Sequence, residues 1–237
     1  MPTVLLVRHG RTTANASGVL AGWTPGVHLD DAGVAQAAAT GARLAPVPLA
    51  AVVTSPLERT RETAEHLLTG RAPAPPLHLD DRVGECHYGD WTNRELKTLA
   101  KDPLWKVVQG HPSAAVFPGG EGLAQMSARA VAAVREWNAR IAGEHGPDAV
   151  YAVVSHGDVI KAVLADALGS HLDSFQRIAV DPASVSVVRY TDLRPFVLRV
   201  NDTGGDVAGL IPPRRKGRRR PSSDAVVGGG AGPSGRG

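Results

Sequence analysis

Two stretches decide how this chain is read: residues 3–10, TVLLVRHG, and residues 149–157, AVYAVVSHG. Each is an apolar run without period-two alternation, the pattern of a strand covered on both faces in a parallel sheet. Each then finishes on a histidine followed by a glycine. A third run, residues 50–55 (AAVVTS), has the same character and leads directly into SPLERTRETA.

Helical segments separate these runs. Asp31 opens DAGVAQAAATGARLA with an acidic first turn and apolar positions at helical spacing. Pro56 is expected to open the helix PLERTRETAEHLL, with Leu57, Ala64, Leu67 and Leu68 along one side. NRELKTLAKD reads as a helix and GHPSAAVFPGGEG as a long loop, a kind of segment that is often functional. From Glu121 onward, Leu123, Met126, Ala130, Val134, Trp137 and Ile141 step by three or four and predict a long amphipathic helix. Residues 159–168 predict another. PLHLD (76–80) is a short strand, and SVSVVRY and FVLRVN are two strands forming a hairpin at one sheet edge. Strands alternating with helices imply an α/β fold with a mostly parallel sheet.

The 237 residues suffice for one domain with a proper core and some tail. Charge is unevenly distributed. Residues 201–237 carry seven basic and three acidic side chains, so the overall +3 leaves residues 1–200 at −1. The core therefore offers no basic face for nucleic acid. From 206 to 237 the chain is basic and rich in Gly, Pro and Ser, with RRKGRRRP at 214–221. It is expected to be a disordered, solvated tail, the one place where nucleic acid could be contacted. No apolar stretch reaches the length of a membrane span. VLLV is too short, and lacks a preceding basic segment, for a signal peptide. The lone Cys86 excludes an internal disulfide framework and suits a cytoplasmic location.

In open α/β sheets, ligands sit beyond the carboxyl ends of the strands. His9 and His156 both fall there, with Arg8 beside the first and Gly10 and Gly157 after each. Glycine lets backbone approach a ligand and leaves its amide free to point at one. Arg59 and Thr60 fall in the first turn of the helix after AAVVTS, a terminus that suits an anion. Two imidazoles with a guanidinium suggest metal or phosphate. The chain has no HxH, HExxH or CxxC, and an adjacent arginine opposes a cation; phosphate fits better, because arginine pairs with it through two bonds at once. No metal or cofactor is expected.

RHGRTTAN, SPLERTRETA, the glutamate of ECHYG, PGGE and VVSHGD, in that order, resemble the histidine phosphatase family, over residues 3 to about 201. The resemblance implies a three-layer α/β/α sandwich, phosphoglycerate-mutase-like, as a domain at 1–205. It implies that His9 is a nucleophile forming a phosphohistidine, its second ring nitrogen bonded to a backbone carbonyl. Arg8, Arg59 and His156 would grip the phosphoryl oxygens. Glu85 would be the general acid, with a raised pKa attributed to the neighbouring dianion. Thr12 and Asn15 fall where the family places small polar groups around the phosphate, although caps and turn bonds explain them equally well. Gly22 lies in a loop that would approach the substrate, and Gly120 and Glu121 would shape a loop and cap the long helix.

Departures from the family pattern are Arg11, where a glutamate is usual, and Thr92 and Asn93 after the tryptophan. Arg11 reverses a charge near the pocket mouth and would favour a more anionic substrate. ECHYG is similar to a mutase motif, but Cys86 stands in place of its arginine, and the segment from Trp91 to Pro118 has no adjacent pair of arginines. A metal-independent phosphomonoester hydrolase acting on a phosphorylated small molecule is therefore expected. The alternatives are a cofactor-dependent phosphoglycerate mutase-type phosphotransferase, and a non-catalytic phosphate-binding protein acting through its tail. Oligomeric state is open.

Overall fold

β1 (Thr3–Arg8) runs through the middle of a six-stranded sheet, and its sequence shows why. Val4 and Leu6 face one apolar cluster while Leu5 and Val7 face another, so the strand has no wet side and no alternation. The computed structural model describes residues 1–205 and 227–230. In chain order the remaining strands are β2 (Leu49–Thr54), β3 (Leu77–Leu79), β4 (Val150–Ser155), β5 (Val185–Arg189) and β6 (Phe196–Asp202). The spatial order is β3-β2-β4-β1-β5-β6. The pairs β3/β2, β2/β4 and β4/β1 are parallel, whereas β1/β5 and β5/β6 are antiparallel. The expected hairpin thus forms the edge beyond β1.

The helices are α1 (Thr13–Ser17), α2 (Asp31–Leu44), α3 (Glu58–Leu68), α4 (Leu96–Leu99), α5 (Pro103–Gly110), α6 (Leu123–His145) and α7 (Gly157–Ala167). α2 and α3 cover one face of the sheet through Leu44, Ala64 and Leu67. α6 and α7 cover the other through Met126, Val134, Trp137, Ile160 and Leu164, and α5 joins the same apolar cluster through Trp105 and Val108. The result is the three-layer α/β/α sandwich with a mostly parallel sheet.

Several boundaries differ from the sequence expectation. Pro56 lies outside α3, whose N-cap is Leu57; the tight turn from β2 consumes Ser55 and Pro56 first. The segment read as one helix at NRELKTLAKD yields only four helical residues, and α5 begins anew at Pro103 behind an Asp102 cap that accepts from the Leu104 amide. Glu121 does not cap α6: the Gly122 amide is satisfied by Gln125. Of the segment 206–237, Val227–Gly230 are described, and Val227 is buried. For those four residues the expectation of a solvated tail is corrected. The rest of it, including the basic run, lies outside the described residues.

Candidate active site

Parallel pairing of β1 with β4 sets Arg8 opposite Ser155, and the ladder continues one step further, with the His9 amide donating to the Ser155 carbonyl at 3.0 Å. His9 and His156 consequently leave the sheet side by side. Their ring centroids are 5.3 Å apart, and both rings are buried. β2, on the other side of β4, ends at Thr54 and turns through Ser55 and Pro56 into α3, which brings Arg59 to the same point.

The His9 ring is fixed by its own loop. Nδ1 lies 2.7 Å from the Gly10 carbonyl; a carbonyl only accepts, so Nδ1 carries the proton and Nε2 keeps its lone pair. Burial, then Arg59 and Arg8, hold the imidazole well below the usual histidine pKa, so it is neutral at physiological pH. In His156, Nε2 is 2.8 Å from Ser55 Oγ, while Nδ1 faces Arg59 Nη2 at 3.3 Å and Glu85 Oε2 at 3.8 Å. A guanidinium only donates, so Nδ1 is the acceptor here and Nε2 carries the proton. Burial and the neighbouring Arg59 hold this ring neutral as well.

Arg8 and Arg59 are among the largest fully buried or nearly buried side chains. Arg8 donates through Nη1 to the Val180 carbonyl at 2.8 Å, and burial brings its pKa down to about 10, still charged at neutral pH. Arg59 Nη2 donates to the Gly22 carbonyl at 2.8 Å. Its Nη1 is buried with no hydrogen-bond partner among the described residues. Leaving a charged donor orphaned in the interior is costly, and an anion in the pocket is the natural way to satisfy it.

Glu85 is 4% exposed. Its Oε1 accepts from the Cys86 amide at 2.9 Å and lies 3.4 Å from the Tyr88 hydroxyl. Burial, and secondarily the charge of Asp158, push its pKa up to about 7, against the opposing pull of Arg59 and Arg8. Burial and Asp158 raise it with no dianion present, so the expected dianion is not its source. Asp158, fully buried in the first turn of α7, accepts from Tyr88 at 3.0 Å.

The loop carrying Glu85 is held from behind by two groups that sequence reasoning missed. Arg129 of α6 donates to the carbonyls of Arg82, Gly84 and Glu85 at 2.8, 2.9 and 2.8 Å, and pairs with Glu121. Trp23 Nε1 donates to the Glu85 carbonyl at 2.5 Å and its ring stacks on His87 at 4.4 Å. Their functional contact is to backbone carbonyls, which no motif records. Ser55 and Asp158 sit inside the motif stretches SPLER and SHGD, and their neighbours drew the attention.

The other expected residues divide. Thr12 and Asn15 form a reciprocal capping box on α1 and also line the cavity. Gly22, at φ 53°, lines it too. Gly10 does not present its amide to a ligand, because that N–H donates to Thr63 Oγ1 at 3.1 Å. Its lack of a side chain is needed for packing, since a Cβ would lie 2.5 Å from the Gly33 carbonyl oxygen. Gly157 is buried as the first residue of α7. Arg11 pairs with Asp30 at 2.8 Å, which neutralises the charge reversal before it reaches the pocket. Thr92 and Asn93 support the loop over the pocket: Thr92 Oγ1 would lie 3.1 Å from a Cβ on Gly22, and the Asn93 amide donates to the Leu20 carbonyl at 2.7 Å.

Among the described residues, no helix is long and apolar enough to cross a membrane. The chain is 37% identical over 97 residues to the adenosylcobalamin/alpha-ribazole phosphatase of Salmonella typhimurium, a match covering 41% of this chain and less than half, 46%, of that protein. It is 30% identical to the probable phosphoglycerate mutase GpmB of Cronobacter sakazakii, over 90% of this chain and 97% of the other. Among solved structures, Bacillus stearothermophilus YhfR superposes with a TM-score of 0.76 at 28% identity, over 85% of this chain and 98% of that one. The family model of the histidine phosphatase superfamily (branch 1) matches residues 4–203. With that match spanning the whole sandwich and the histidine pair at its centre, the chain belongs to the histidine phosphatase superfamily.

Proposed function

We propose that the protein hydrolyses phosphomonoesters through a phosphohistidine on His9. The observation that carries the reading is the buried, unpartnered Nη1 of Arg59, set in a pocket with two neutral imidazoles and a carboxyl that keeps its proton near pH 7. A phosphate dianion repels nucleophiles, so the site needs fixed positive donors on the equatorial oxygens and a nucleophile that is itself uncharged. Arg8 and Arg59 supply the first, and His9 the second.

In the first step, Nε2 of His9 forms a bond to phosphorus as the ester P–O bond breaks. The Glu85 proton passes to the departing oxygen, giving a free alcohol and a phosphorylated imidazole. In the second, the Glu85 carboxylate takes a proton from water, whose oxygen bonds to phosphorus while the P–N bond breaks. Orthophosphate leaves with Glu85 and His9 restored. A carboxyl with a pKa of about 7 suits both duties.

Ser55 gives His156 freedom to take part. A hydroxyl can donate or accept, so when an oxyanion enters, Ser55 can donate to Nε2 and leave the ring proton on Nδ1, facing the anion. The Leu57 amide, 3.4 Å from Ser55 Oγ, supports that orientation of the hydroxyl.

Hydrolysis is favoured over mutase-type transfer because Cys86 is buried in the apolar cluster. No cation can reach the pocket from the position where the mutase motif carries arginine. Arg94, Lys97, Lys101 and Lys106 are exposed. The test is turnover of p-nitrophenyl phosphate and phenyl phosphate, with alkali-quenched trapping of an acid-labile adduct on the peptide containing His9. Turnover and adduct both disappear in His9→Ala if the reading is right. Turnover that persists in His9→Ala rejects the phosphohistidine, and a requirement for 2,3-bisphosphoglycerate with 3-phosphoglycerate as substrate selects the mutase.

A further inference from the structure

Arg8 already has company in the pocket. Its Nη2 donates to the carbonyl oxygens of Gly228 and Gly230 at 3.1 and 2.6 Å, more than two hundred residues along the chain. The Gly228 amide donates to Asp158 Oδ2 at 3.0 Å. Val227 is 1% exposed and joins the apolar cluster that contains Leu20, Tyr88, Val159 and Ile160. Gly228 and Gly230 turn the backbone at φ 72° and 58°, torsions that glycine adopts at little cost. A Cβ on Gly228 would also lie 3.2 Å from Leu20 Cδ1. A guanidinium for two carbonyls, a carboxylate for an amide and an apolar socket for one side chain together make a recognition site for a Val-Gly-Gly-Gly turn.

The seated turn and the reaction compete for space. Val227, Gly228 and Gly230 line the same cavity as His9, Arg59 and Glu85. With the turn in place that cavity measures about 30 Å³, room for two or three waters at roughly 10–15 Å³ each. Sites for small organic ligands run to roughly 300–1,000 Å³.

We propose that Val227–Gly230 is an intramolecular ligand of the phosphoryl pocket, which holds a donor of Arg8 and must leave before a phosphomonoester enters. This rests on the reading of Arg8 as a phosphoryl donor. The carbonyls are neutral substitutes for phosphoryl oxygens. A phosphate dianion adds a full ionic attraction to the guanidinium, and the bidentate geometry that goes with it, which neutral carbonyls do not offer, so substrate displaces the turn once its concentration is high enough. The segment sets a threshold for activity and leaves the chemical step intact.

The test uses the full chain. Val227→Asp places a carboxylate where 1% of the side chain reaches water, which expels the turn. Calorimetric titration with orthophosphate reads pocket access without turnover, and KM for p-nitrophenyl phosphate reads it with turnover. If the turn is seated nine-tenths of the time, the variant binds orthophosphate about tenfold more tightly and its KM falls by a similar factor, with a wild-type circular dichroism spectrum. A synthetic peptide of residues 222–234, SSDAVVGGGAGPS, then inhibits the variant competitively, and the same peptide carrying Asp at the position of Val227 does not. Equal or weaker orthophosphate binding by the variant, or a peptide that fails to compete, overturns the proposal. Absence of turnover on every phosphomonoester would reject the hydrolase reading and leave the orthophosphate titration as valid as before.

Discussion

Replacing Asp158 with Asn should move the alkaline limb of the pH–rate profile to lower pH, and the structure fixes both sign and size. The Tyr88 hydroxyl is 3.4 Å from Glu85 Oε1 and 3.0 Å from Asp158 Oδ2, so the two carboxylates approach within about 6.5 Å. At an effective dielectric of about 20, unit charges at that separation repel by about 2.5 kcal/mol, nearly two pH units. Removing the Asp158 charge therefore makes Glu85 easier to ionise. Arg59 and Arg8 then pull its pKa down against burial alone. Allowing for relaxation, the limb should fall from about 7 by roughly one to two units.

The assay is kcat/KM against pH for two substrates. Under the proposed role of Glu85, phenyl phosphate, with a poor leaving group, depends on its proton, and p-nitrophenyl phosphate hardly does. The variant should lose roughly tenfold or more on phenyl phosphate at pH 7.5 and little on p-nitrophenyl phosphate. An Asn side chain still accepts from the Gly228 amide, so the seated turn persists and does not confound the comparison. A limb that stays in place or moves upward, or equal losses on both substrates, would refute the electrostatic argument.

Glu85 should also destabilise the folded chain at high pH. Its folded pKa of about 7 lies above the unfolded value near 4.5, so its favourable contribution is intact below about 4.5 and lost as pH rises through 7. Glu85→Gln should therefore match wild type in denaturant melts at pH 4.5 and exceed it by up to about 3 kcal/mol at pH 8.5; a constant difference would contradict the burial argument. Arg129→Ala frees the loop behind Glu85 and should slow phenyl phosphate at least about tenfold while sparing p-nitrophenyl phosphate, with steady-state kinetics as the check. Gly33→Ala would set a Cβ 1.9 Å from the Arg11 carbonyl oxygen and should cost about 2 kcal/mol or more, measured by thermal unfolding.

The strands and their helices were readable because burial on two faces leaves a simple trace: unbroken apolar runs at β1, β2 and β4, and steps of three or four along α6. The proposed catalytic set was readable for a related reason, since Arg8, His9, Arg59, Glu85 and His156 each sit at the end of an element or in a motif with fixed spacing. What escaped was long-range. Trp23 and Arg129 act on backbone carbonyls of the Glu85 loop from 62 and 44 residues away, and a carbonyl has no letter in the sequence. α5 was hidden because Pro103 restarts a helix where NRELKTLAKD suggested a single one. Val227–Gly230 looked like low-complexity filler because glycine content signals missing side chains, whereas here it serves torsions and carbonyls.

Because β1 and β4 are hydrogen-bonded neighbours in register, the distance between the two imidazoles is inherited from the interstrand repeat, about 4.8 Å in any sheet. The register fixes the spacing of the two backbones, and a one-residue slip would turn a ring to the opposite face. On the proposed reading, the spacing that would gauge a phosphoryl group is thus carried by the backbone, which leaves the loops around the pocket to distinguish one substrate from another.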